Sequence, residues 1–103
     1  MSKFAEKYIS RAQKADAADI DVIEFKVKLT TFEDVNNFNR IACRQDFVIS
    51  LSTGIFTVDA KSILGIYSLD LGKDLTVKCY VQYAEDARKF LTEICNYAIH
   101  HEE

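Results

Sequence analysis

A chain of 103 residues has room for one hydrophobic core and not for two, so a single domain is expected. Apolar residues make up 49% of it and charged ones 28%, a composition that is neither that of a disordered chain nor that of a membrane-bound one. Its 13 basic and 16 acidic residues leave a net charge of −3 with neither sign gathered in a block, so a nucleic-acid footprint is not expected and partners are expected to be proteins.

The N-terminus M-S-K-F-A-E-K lacks the apolar stretch of a signal peptide, and no run approaches the ~20 apolar residues of a membrane span. A cytoplasmic location without membrane contact is therefore expected. Cys43, Cys79 and Cys95 are odd in number, widely spaced, and each lies beside or within an apolar stripe of its own element. They read as reduced core thiols, with no metal site and no cofactor.

In chain order, residues 2–18 predict a helix: Ser2 caps it, and Phe4, Tyr8, Ala12 and Ala15 form a stripe with Ile9 beside it. Lys3, Glu6, Arg11 and Lys14 occupy the other side. The stripe has two possible uses, packing on the chain's own body or contact with a partner or a second copy. Residues 17–21 read as its linker, so 1–21 is set apart from a body of 22–103.

Val22 to Leu29 alternates, with Ile23, Phe25, Val27 and Leu29 on one side, as a half-buried strand does. Thr31 to Asp34 fits a capping box, and Val35, Phe38, Ile41 and Ala42 continue a helix from about Phe32 to Cys43. Phe47 to Leu51 and Ile55 to Val58 are two strands around the turn Ser52-Thr53-Gly54. Ile63, Leu64, Ile66, Tyr67 and Leu69 crowd a short helical turn ahead of Gly72, with Ile66 and Leu69 expected inward. Leu75, Val77, Cys79 and Val81 define a fourth strand. Glu85 and Asp86 start a last helix whose stripe runs through Ala87, Phe90, Leu91, Ile94, Cys95, Ala98 and Ile99.

The order β-α-β-β-α-β-α, every strand one-sided, calls for an α+β fold: a four-stranded antiparallel sheet covered by helices on one face, plus the N-terminal helix. Ferredoxin-like domains share a similar rhythm, so periodicity alone leaves two architectures open.

Ser62 stands at the N-cap of the short helix and also has two uses. Its oxygen can accept a hydrogen bond from an unpaired helix amide, a stabilisation of roughly 1 kcal/mol. It can also accept a phosphate, which unpaired amides and the positive helix end favour. Lys61 adds a cation beside it, and Asp59 a carboxylate that opposes a phosphate if both side chains point the same way.

The segment K-S-I-L-G-I-Y-S-L, Lys61 to Leu69, resembles the regulatory-serine region of HPr, the histidine-containing phosphocarrier protein of the bacterial sugar phosphotransferase system. The resemblance extends over residues 22–99, through the Gly54 hairpin before it and Leu71-Gly72-Lys73 with L-T-V-K-C-Y-V after it. It implies the open-faced β-sandwich of that family, to which the N-terminal helix is an addition. It also implies a phospho-acceptor at Ser62 and partner docking by Lys61, Ile63, Leu64 and Tyr67. The partners implied are an HPr-kinase-like kinase and transcriptional or transport regulators.

The carrier chemistry of the family needs a histidine at the start of the first body helix, in a G-x-H-x-R-P type pattern, because imidazole accepts and releases a phosphoryl group near neutral pH. The matching place here is L-T-T-F-E-D-V, Leu29 to Val35, with no His, Arg or Pro and with Glu33 and Asp34 adding negative charge. Thr30 and Thr31 offer only hydroxyls, whose phosphate esters are poor donors, and capping accounts for them. His100 and His101, beside Glu102 and Glu103, make at most an adventitious metal contact. No catalytic residues and no enzymatic activity are expected. The expected function is that of a regulatory or adaptor protein acting through the Ser62 region. The alternatives are a phosphocarrier with an unrecognised acceptor and a structural module that oligomerises through the N-terminal helix.

Overall fold

The computed structural model describes residues 3–14 and 19–99. Its centre is an antiparallel sheet of β1 (Gln13–Lys14), β2 (Asp21–Val27), β3 (Val48–Thr53), β4 (Phe56–Asp59) and β5 (Leu75–Val81), in the order β1-β2-β5-β3-β4. Register turns the period-two patterns into one apolar layer. Phe25 faces Val77, Ile23 and Ile49 flank Cys79, and Leu51 lies between Val77 and Val58. All of these except Val58 are buried. The opposite face carries Glu24, Lys78 and Ser50 in one row and Lys26, Thr76 and Ser52 in the next, so polar side chains meet water there.

Four helices cover the apolar face: α1 (Lys3–Ser10), α2 (Phe32–Cys43), α3 (Ile63–Tyr67) and α4 (Arg88–Ile94). Phe38 of α2 and Phe90 of α4 meet with ring centroids 6.0 Å apart, and both belong to the core formed with the sheet. At the β3–β4 hairpin, Gly54 takes φ +59, a left-handed value that a two-residue loop requires and that other residues adopt only with strain.

The apolar side of α1 is occupied by the chain's own core. Phe4 and Ala5 are buried, the Phe4 ring meets Phe25 edge-on at 5.3 Å, and Glu6 pairs with Arg88 across to α4. The helix is shorter than its periodicity predicts. Ser10 turns its hydroxyl back to the Lys7 carbonyl, 2.8 Å away, and Gln13–Lys14 then pair with β2, Lys14 reaching the Asp21 carboxylate at 3.1 Å. The sheet therefore has five strands rather than the expected four. An exposed strand edge holds unpaired amides and carbonyls, and β1 satisfies part of that edge. Ala15, expected on the helical stripe, lies outside the described residues, as do His100 and His101.

The last helix departs from expectation for the same reason. A 3-10 turn at Ala84–Ala87 leads into α4, a second 3-10 turn spans Cys95–Tyr97, and Ala98 and Ile99 leave the helix to pair with β2. The Lys28 amide donates to the Tyr97 carbonyl and the Ile99 amide to that of Lys26, both at 2.9 Å. The outer edge of β2 is thus covered at both ends. The three cysteines are free, but only Cys79 is a core thiol; Cys95 is half-buried, and Cys43, the last residue of α2, is exposed. No helix among the described residues is long and apolar enough to cross a membrane.

Candidate functional site

α2 and α3 pack side by side. The start of α2 meets the end of α3 through Phe32 and Tyr67, while Lys61, before the start of α3, reaches Gln45 past the end of α2. Each helix begins at a capping side chain. Thr31 caps α2 in an extended conformation, φ −126 and ψ 163, its hydroxyl oxygen accepting from the Asp34 amide at 3.0 Å. The carboxylate of Asp34 reaches one residue further back than the expected capping box. It accepts from the Thr30 amide at 3.1 Å and the Thr30 hydroxyl at 3.0 Å. These bonds to Thr30, and smaller ones to Thr31, hold the Asp34 carboxyl below its ordinary range.

Ser62 caps α3, and its hydroxyl oxygen accepts from the Gly65 amide at 3.1 Å. Gly65 lets α3 approach closely there, since a Cβ would lie 3.2 Å from the Ser62 oxygen and 3.2 Å from Cβ of Val58 on β4, and those neighbours would have to give by a few tenths of an ångström. The two charged neighbours of Ser62 are engaged elsewhere. Asp59 takes the Lys61 amide at 2.9 Å, and the Lys61 ammonium donates to the Gln45 carbonyl at 2.7 Å.

Of the residues expected to dock a partner, Leu64 is 80% exposed and Tyr67 36%, while Ile63 packs partly against the core and Lys61 is half-buried. Ile66 and Leu69 face inward as expected. Ser62 is exposed. The surface also contains a residue that the sequence reading treated only as a helix start. Phe32, 75% exposed, meets the Tyr67 ring at 5.8 Å and 65°, and the Tyr67 hydroxyl donates to Asn36, one turn further along α2, at 3.2 Å. Phe32 and Asn36 share a face by their i, i+4 spacing, and that face lies off the Val35–Phe38–Ala42 stripe, which was the available signal. Beside Phe32 is a shallow cavity of about 410 Å³ lined by Leu29, Thr30, Thr31, Val35 and Leu71.

The surface is apolar and hydroxyl-bearing, with one carboxylate already bonded within it. Among the described residues no cluster of three His, Cys, Asp or Glu side chains is placed to hold a metal ion, and no buried side-chain polar atom lacks a partner. A separate groove of about 430 Å³ lies at the β2 edge between Gln13 and Ile99, away from Ser62 and its neighbours.

The bound carboxylates imply a pH dependence of stability. Thr30 holds the Asp34 carboxyl low, Lys14 and then the Ala84 amide hold Asp21 low, and Arg88 holds Glu85 low. A carboxyl depressed on folding contributes stability that is fully present above the unfolded value, roughly 4, and is lost as pH falls through the folded value. The urea midpoint is expected to be level above about pH 5 and to decline below about pH 4, with a shallower decline in Asp34→Asn. A midpoint unchanged down to the folded values of these groups contradicts the assignment.

Comparison of the chain with protein-family models, with curated proteins and with solved structures finds no match.

Proposed function

We propose that the chain is an HPr-like regulatory or adaptor protein of the cytoplasm, related to the sugar phosphotransferase system, that acts by protein contacts around Ser62 and has no catalytic or phosphocarrier activity of its own. The observation that carries this reading is the exposed side of α3, where the Ser62 hydroxyl and Leu64 stand in the open and Tyr67, at the other end of the same short helix, meets the exposed Phe32 of α2. Aromatic side chains held in the open by an edge-on ring contact and by a tyrosine hydrogen bond, on a short helix that begins at a modifiable hydroxyl, suit a docking surface altered by a phosphate's charge.

Two further observations support it. From β2 to α4 the elements follow the order β-α-β-β-α-β-α that the resemblance implies, with helices on one face of an antiparallel sheet. At the start of α2, where the HPr pattern holds a phosphohistidine, this chain has Thr30, Thr31 and the Asp34 carboxylate, which is bonded to the Thr30 amide and hydroxyl and repels a second anion, and it has no imidazole.

The test is the intact mass of the full chain after incubation with HPr kinase and ATP, and separately with enzyme I and phosphoenolpyruvate. A single phosphate gained only with the kinase, mapping to Ser62 and absent from Ser62→Ala, is the expected result. A phosphate gained from enzyme I establishes a carrier, and no gain with either leaves the Ser62 assignment without its modification.

A further inference from the structure

The two outer edges of the sheet differ. β2 is covered by β1 at one end and by Ala98–Ile99 at the other, whereas β4 is a terminal strand with no strand beyond it among the described residues. Exposed edges are commonly blunted by lysine, proline or a bulge, because unpaired amides and carbonyls are a template for another strand. The β4 sequence F-T-V-D contains no lysine or proline and pairs with β3 without a bulge, and Phe56 is 66% exposed and the adjoining Ile55 92%.

We propose that β4 is a dimerisation edge that pairs antiparallel with β4 of a second copy of this chain, about a two-fold axis at Thr57. The backbone register carries the argument. The Ala60 amide donates to the Ile49 carbonyl at 2.9 Å, so in the alternation of an antiparallel ladder Val58 and Phe56 also turn their amides and carbonyls toward β3. Thr57 and Asp59 therefore present theirs outward. The Asp59 carbonyl already accepts from the Ser62 amide at 2.9 Å, which leaves the Thr57 amide and carbonyl and the Asp59 amide.

A two-fold axis at Thr57 matches these groups. The two copies of Thr57 exchange a pair of hydrogen bonds, and each Asp59 amide meets the Ile55 carbonyl opposite. Phe56 comes to lie against Val58 of the second copy on the helix-covered side, where a cross-strand apolar pair is favourable. Charges agree with this register, because each Asp59 faces Ile55 and no like charges are opposed. The same surface on both copies satisfies the requirement of an isologous interface. A four-residue edge falls short of the roughly 800 Å² per partner of a stable complex, so the association is reversible and depends on concentration.

The test is sedimentation equilibrium of the full chain from micromolar to millimolar concentration, with Thr57→Lys, Thr57→Glu and an equimolar mixture of the two. The Thr57 side chain is exposed on the open face, so these variants retain the fold, as far-UV circular dichroism verifies. The wild-type mass is expected to rise toward the dimer and each variant alone to remain monomeric, since like charges then sit opposite each other on the axis. The mixture is expected to regain association. A wild type that is monomeric throughout, or a Thr57→Lys variant that dimerises as well as the wild type, overturns the proposal. If Thr57→Lys fails to fold, Thr57→Glu alone gives the same decision.

Discussion

Phe38→Ala is expected to destabilise the domain by about 3–5 kcal/mol, the cost of emptying a buried aromatic site that its surroundings only partly fill. Phe38 is fully buried at the middle of α2, with its ring 6.0 Å from Phe90 and 6.5 Å from Tyr97. It joins α2 to α4 and to the segment that leaves α4 for the edge of β2. Domains of this size are stable by only about 5–15 kcal/mol, so the variant loses about a fifth or more of the total and its Tm falls by at least about 12 °C. Phe32→Ala is the control on the same helix. Its side chain is mostly exposed, and its removal is expected to stay within about 0.5 kcal/mol. Urea denaturation of both variants measures the contrast, and equal losses contradict the assignment of Phe38 to the core and Phe32 to the surface.

The second large effect is a difference in thiol reactivity. Cys79 is buried on β5 between Ile23 and Ile49, and burial pushes its thiol well above the ordinary range, so almost no thiolate is present in the folded chain. Cys43 is exposed at the end of α2, within 3.4 Å of the Lys61 carbonyl. With an aromatic disulfide reagent at neutral pH, Cys43 is expected to react in the native state and Cys79 only through unfolding. Unfolding constants of small domains place Cys79 at least about 10³-fold slower. In a background lacking Cys43 and Cys95, Phe38→Ala is expected to accelerate Cys79 labelling at least about 10²-fold, because 3 kcal/mol corresponds to two decades in the open population. Labelling of Cys79 at the Cys43 rate overturns its placement in the core.

How far the sequence carried can be seen in individual elements. The α2 helix runs Phe32–Cys43 as its stripe and its threonine cap predict, and Ser62 caps α3 onto the Gly65 amide. Ile66 and Leu69 point inward, and the β2 and β5 alternations become the buried layer of the sheet. The acceptor and docking residues follow from the resemblance and not from periodicity. The structure places Ser62 and Leu64 in the open, Tyr67 at the edge of exposure, and Ile63 and Lys61 half inside. Phe32 joins that surface only because α2 and α3 come together, a contact between residues more than thirty positions apart.

By itself the sequence determined the elements whose signals are local: the period-two strands, the 3.6-period stripes of α2 and the core of α4, the caps at Thr31 and Ser62, and the glycine turn at Gly54. Those signals arise from which face of an element meets water and from side chains bonding amides a few residues away, and both are written in adjacent positions. The tertiary structure alone decided where α1 and α4 end. In each case a helical pattern continues in the sequence, at Gln13–Lys14 and at Ala98–Ile99, but the open edge of β2 offers the backbone partners that periodicity does not encode. Satisfying a distant strand's amides and carbonyls outweighs a further turn of marginal helix, and only the assembled sheet shows which edges remain to be satisfied.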